Sequence, residues 1–139
     1  MTQEHTIAVV EPALDGEMTI KYAKEAVDRG GRASIIVLLG MDTIDGIAAF
    51  AEAENLTFPD GREIYMDRLA HNYSEIFNGK EQVTVVPDGP TANRVVFERA
   101  GQQGATTVVV PQRLVSQRRW KAAVAKSPVP VMITPTKAA

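Results

Sequence analysis

Cysteine is absent from these 139 residues, which excludes disulfides, thiol catalysis and cysteine-ligated zinc. No glycine follows Gly104, and no acidic residue follows Glu98. The longest apolar runs are only strand-length, too short for a bilayer-spanning helix. Histidine occurs twice, at His5 and His71, and no motif joins a serine nucleophile to a histidine and an orienting acid. The opening Met1-Thr-Gln-Glu-His5 has neither the basic start nor the apolar stretch of a secretory leader, so a cytoplasmic protein is expected.

What remains is ordinary globular material, 45% hydrophobic and 23% charged. The length suits a single domain over 1–139, with residues 1–5 and 136–139 expected to fray. The net charge of −2 conceals a lopsided distribution. Residues 1–98 hold eight Lys/Arg against all seventeen Asp/Glu, a balance of −9, whereas residues 99–139 hold seven Lys/Arg and no acid, +7. The basic end either folds onto the acidic end, stays solvated, or offers a surface to an anion or acidic protein. Its few cations are not interleaved with aromatics, so nucleic acid is not expected.

The apolar pattern alternates between two periods. Thr6–Val10, Ser34–Leu39, Gln82–Val86, Thr106–Val110 and Val129–Thr134 read as strands, the first four as near-continuous runs of the kind buried on both faces. Between them lie helical stretches. One opens at Asp15-Gly16 and runs to Arg29, with Ile20, Ala23 and Val27 on its buried stripe and Gly30-Gly31 as its stop. A second starts at Asp42, a plausible N-cap, and carries Ile44, Ile47, Ala48 and Ala51 on one side to about Glu54. Thr57-Phe-Pro-Asp-Gly61 breaks it, and a third helix with Met66, Leu69, Ala70, Tyr73 and Ile76 follows to about Phe77. The middle stretch also reads as one helix and a mobile arm. Asp88-Gly-Pro-Thr91 starts the next helix, with Ala92, Val95, Val96 and Ala100 inward, and Ser116–Ala125 forms a short basic one. Strands alternating with helices imply an α/β, doubly wound, parallel five-stranded sheet with helices on both faces.

The order and spacing of Ile7-Ala-Val-Val-Glu-Pro12, Asp88-Gly-Pro-Thr-Ala-Asn93, Gly104-Ala-Thr-Thr-Val-Val-Val-Pro111 and Ser127-Pro-Val-Pro-Val-Met-Ile-Thr-Pro135 resemble the universal stress protein family over essentially the whole chain. The resemblance implies strand order 3-2-1-4-5, a stress-response role and a homodimer paired through the last strand; an enzyme is not expected, because no candidate base, nucleophile and metal set stands in the sequence. Many members hold ATP with a stretch G-x-x-G-x9-G-[S/T] after the fourth strand, and that stretch is missing here. The family's acidic residue at the end of the first strand, usually Asp, is Glu11.

Ligands on such sheets bind at the C-terminal strand ends, where the strand order reverses. In the implied order the crevice is rimmed by Glu11-Pro12 and Pro111-Gln112, and proline has no N–H to give a phosphate. The expectation is therefore no bound cofactor and no ATP. The alternative is AMP or a cyclic nucleotide held by Glu11, Pro12, Gly40, Met41, Asp42, Pro111 and Arg113, one phosphate needing fewer donors. Glu11 also reads as a solvated or helix-capping carboxylate, and Asp42 as a simple cap. Arg113, Arg118, Arg119 and Lys121 would serve an acidic protein partner or form a solvated helix face. The apolar edge at Val129, Val131, Met132, Ile133 and Thr134, unguarded by charge, is the expected dimer surface. Trp120 is expected in packing, and the His71–Asp67–Glu75 helix face is too thin a set for a metal.

Overall fold

The β-branched runs do pair as one parallel sheet. A computed structural model describes residues 4–11, 17–77, 81–87 and 89–135. Its strands are β1 (His5–Val10), β2 (Arg32–Leu39), β3 (Glu81–Pro87), β4 (Thr107–Pro111) and β5 (Val131–Thr134), in the order β3-β2-β1-β4-β5. The helices are α1 (Glu17–Asp28), α2 (Met41–Ala53), α3 (Phe58–Phe77), α4 (Ala92–Gln102), α5 (Gln112–Val115) and α6 (Arg118–Ala125).

All six residues of β1 are buried, because the central strand has helices on both sides. The two-residue period of the strand then sorts the core into two halves. Ile7 and Val9 face Ile36, Leu38, Val108 and Val110, with Val96 and Phe97 of α4, Leu114 of α5 and Trp120 of α6 above them. Ala8 and Val10 face the other way, among Ile35, Val37, Ala23 and Val27 of α1, and Tyr73 and Phe77 of α3. Thus α1 and α3 cover one face, and α4 to α6 the other. Helix α1 stops where expected: Gly30 has φ +90°, and the N–H groups of Gly30 and Gly31 donate to the carbonyls of Val27 and Ala26, both at 2.9 Å.

Several local expectations need correction. His5 does not fray: it begins β1, is buried, and places Nε2 2.8 Å from Ser34 Oγ. Its N–H donates to Thr106 Oγ1 at 2.9 Å. Asp42 is not the cap of α2, since the helix starts at Met41 with Gly40 in the capping position. Ala48 is exposed rather than inward. The expected break at Thr57–Gly61 falls earlier, over residues 54–57, and Phe58 to Gly61 already belong to α3. Gly61 is there for space: a Cβ on it would lie 2.7 Å from Ala51 Cβ, so α2 and α3 touch backbone to side chain. The expected helix over Ser116–Ala125 starts two residues later, as α6, and an unexpected short helix, α5, precedes it with Ser116 and Gln117 between them. The last strand begins at Val131 rather than Val129. Asp15, Gly16 and Asp88, expected at helix starts, lie outside the described residues.

Candidate functional site

A parallel sheet sends all its strand C-termini to one end, so Glu11, Gly40 and Pro111 are brought to the same rim. β1 pairs with β4 through Thr6↔Thr107, Ile7↔Val108 and Ala8↔Val109. Carried on by two residues, this register sets Pro111 beside Val10, at the point where the strand order reverses. On the other side Val10 pairs with Val37, so Gly40 stands three residues farther along β2, roughly 10 Å by strand rise. Glu11 is half-buried, as is Gly40. Pro12 lies outside the described residues; Met41 and Asp42 are placed as the first two residues of α2.

β4 runs into its helix without a loop. Pro111, with φ −64° and ψ 141°, is both the last residue of β4 and the cap of α5, and it is buried. One turn later Leu114 is fully buried in the core below. Ser116 Oγ donates to the Arg113 carbonyl at 2.6 Å, and the Gln117 N–H to the Leu114 carbonyl at 2.9 Å, which closes the turn before α6 starts. The buried leucine anchors this connection to the sheet. On the β5 side of the rim Thr19 and Thr134 are both buried, and their hydroxyls meet at 3.0 Å. That polar pair satisfies itself.

The basic residues of the last third do not form one patch. Arg113 is on α5, exposed. Arg118 and Lys121, three apart on α6, share an exposed face. Arg119 is half-buried and turned toward α4, where its carbonyl accepts from Asn93 Nδ2 at 3.3 Å. Lys121 borders a hollow of about 550 Å³ with Gln112, Ser116, Ile133 and Pro135 at the tip of β5.

Of the expected edge residues, Met132 and Ile133 are exposed, 40% and 45%. Val131 and Val129 are half-buried, and the Thr134 side chain points inward to Thr19. β5 pairs with β4 from Val108↔Val131 to Pro111↔Thr134, leaving its outer edge unpaired among the described residues. His71 Nε2 lies 3.1 Å from Glu75 Oε1 on an exposed face, and among the described residues no three His, Asp or Glu side chains gather in a metal-binding group. No described helix is long and apolar enough to cross a membrane.

A cavity of about 900 Å³ between α4 and α6 was not foreseen from the apolar pattern. Phe97 and Asn93 belong to it; the helical stripe assigned to α4 identifies the residues facing the sheet but says nothing of those facing a neighbouring helix.

No protein-family model and no curated protein sequence matches this chain. Solved structures do. A universal stress protein in complex with cAMP is 15% identical, with 99% of this chain and 100% of that chain covered and a TM-score of 0.56. A universal stress protein family member from Burkholderia pseudomallei is 18% identical, with 96% of each chain covered and a TM-score of 0.58. The universal stress protein from Archaeoglobus fulgidus in complex with dAMP is 11% identical, with 95% of this chain and 97% of that chain covered and a TM-score of 0.57. The fold, with its strand order 3-2-1-4-5, is that of universal stress proteins, as the resemblance implied.

Proposed function

We propose that the chain is a non-enzymatic, homodimeric regulatory or protein-binding module of the cytoplasm, with the universal stress protein fold but no ATP site. The observation that carries this reading is the β4–α5 junction. Where a triphosphate would need several glycine N–H groups turned toward it, β4 passes through Pro111 straight into a helix anchored by Leu114. Glu11 at the same rim adds a negative charge that repels phosphates.

Thermal unfolding with added nucleotides tests it. A ligand at a hundred times its Kd adds about 2.7 kcal/mol of stability. ATP is expected to leave the midpoint unchanged, and a clear rise would overturn the reading. A second reading is favoured by the cAMP and dAMP present in two of the similar structures. In it a monophosphate or cyclic adenine nucleotide occupies the crevice, with Glu11 on the ribose, Asp42 near the purine, and Arg113 on the single phosphate. A rise with AMP or cAMP but not with ATP would decide for this sensor.

The dimer of this proposal joins two copies of β5 edge to edge, with Val129, Val131, Met132 and Ile133 across the two-fold axis. Met132→Lys puts a charge on that edge and is expected to shift the protein to monomer in sedimentation. An unchanged dimer would assign the contact to another surface.

A further inference from the structure

We infer that the acidic β3 edge of the sheet receives the basic β5 edge of a second copy, so that the chain associates head to tail when ionic strength is low. This goes beyond the function proposed above and shares only the β5 edge with its dimer. β3 pairs with β2 alone and β5 with β4 alone, so among the described residues each presents an unpaired row of backbone N–H and C=O groups to the outside.

The two edges differ in sign. Residues 41–87, which supply α2, α3 and β3, hold nine Asp/Glu and three Lys/Arg, a balance of −6. Residues 112–139, which supply α5, α6 and β5, hold six Lys/Arg and no acid, +6. These totals include every residue of the two segments. Setting Glu11, Asp15 and Glu17, the acids around the β1–α1 connection, wholly against the β5 edge still leaves it at +3. Joining β5 to β5 therefore brings like charges together, whereas joining β5 to β3 brings opposite ones.

The side chains at the two edges fit as well. Beside β3 a groove of about 500 Å³ runs along α3, lined by Met66, Ala70, Val83 and Val85. Glu63 and Asp67 stand exposed on its rim against Arg62. At the other edge Ile133, 45% exposed, shares a hollow with the exposed Lys121. Ile133 pairs with Val110 and so lies on the α4–α6 side of the sheet, whereas Val83 and Val85 pack on the α1–α3 side. Antiparallel pairing of β5 with β3 brings the two together. It requires the second copy to be turned over about an axis across the strands, and that turn lays its α3 beside the first copy's α6. Ile133 then meets Val83 and Val85 across the strands, with Lys121 facing Glu63 and Asp67. The contact is heterologous and does not close, so copies add into an open chain. One β5 edge serves one neighbour at a time, and ionic strength therefore chooses between this chain and the two-fold dimer.

Sedimentation velocity of the full chain at about 10 mM and about 1 M salt tests this, because charges are felt over about 30 Å in the first and about 3 Å in the second. Species larger than a dimer, lengthening with protein concentration, are expected at low salt, and a dimer at high salt. Glu63→Lys/Asp67→Lys changes only exposed positions, so the variant folds. It is expected to weaken the low-salt association about tenfold, and adding Arg118→Glu/Lys121→Glu to it should restore that association by exchanging the charges. A size that ignores both salt and concentration overturns the head-to-tail contact and leaves the β5 dimer standing. Low-salt species that persist in Glu63→Lys/Asp67→Lys, or that the exchange fails to restore, overturn it too. A chain at low salt that falls to monomer at high salt supports this contact and overturns the two-fold dimer instead.

Discussion

Two helix pairs in this molecule each contain a glycine within a helix, and they use it in opposite ways. At α2–α3, Gly61 lets the helices close until a Cβ would sit 2.7 Å from Ala51 Cβ. At α4–α6, Gly101 keeps the surfaces apart, with Pro128 Cγ 3.7 Å from where its Cβ would be. The first pair is packed shut. The second leaves about 900 Å³ between its partners and a buried acceptor unmatched. Close packing at one pair and an open trough at the other teach that a helical glycine marks missing volume, and that only the neighbour decides whether that volume is a contact or a site.

The same exchange at both positions should separate the two uses. Gly61→Leu is expected to destabilise the protein by about 1–3 kcal/mol, because α2 and α3 must part to admit it. Denaturant unfolding measures this, and an unchanged midpoint would mean the α2–α3 contact is looser than described. Gly101→Leu is expected to act in the other direction, stabilising by ~0.5–1 kcal/mol through the helix preference alone. A loss of stability there would place Gly101 in a packed contact and remove the contrast.

Acidification sharpens the comparison with the smallest effect. At the far end of α4 the polar groups are matched: His5 Nε2 meets Ser34 Oγ at 2.8 Å, and Ser34 Oγ reaches Gln103 Oε1 at 3.4 Å. Burial, assisted by the charge of Arg32, lowers the His5 pKa below the ordinary histidine value, against a smaller opposing effect of a Gln103 backbone hydrogen bond. The unfolded chain therefore takes up the proton first. Stability from this group is complete above pH about 6.5 and is lost as the pH falls through the folded-state value. Amide exchange near the C-terminus of α4 should quicken over that window while α2 and α3 stay protected. Equal loss in both layers would show that His5 tunes the whole fold rather than one side of it.

The fold was legible because burial on both faces demands uninterrupted apolar strands, and runs such as Ser34–Leu39 have hardly another use. The helix α1 was legible for the same reason, its stop written in Gly30 and Gly31. What escaped was tertiary. Gly61 reads as a breaker in isolation because its reason, Ala51, sits ten residues earlier on another helix. The break between α5 and α6 has no local signal: Ser116 and Gln117 tolerate helix, and the buried Leu114 sets the turn. His5 looked like a loose end because its partner Ser34 is on the neighbouring strand. Of the crevice, the rim residues Glu11, Gly40 and Pro111 could be named from strand ends alone. The α4–α6 groove could not, since apolar periodicity records which residues meet the sheet, not the gaps between helices.

The chain has one tryptophan, Trp120, on α6 and fully buried against Phe97 of α4, and its three tyrosines, Tyr22, Tyr65 and Tyr73, all belong to α1 and α3 on the opposite face. Nature has in effect painted the two sides of the sheet in different colours. Indole light comes only from the side with the trough and phenol light only from the closed side, so a spectrometer can watch each layer melt without any label being attached.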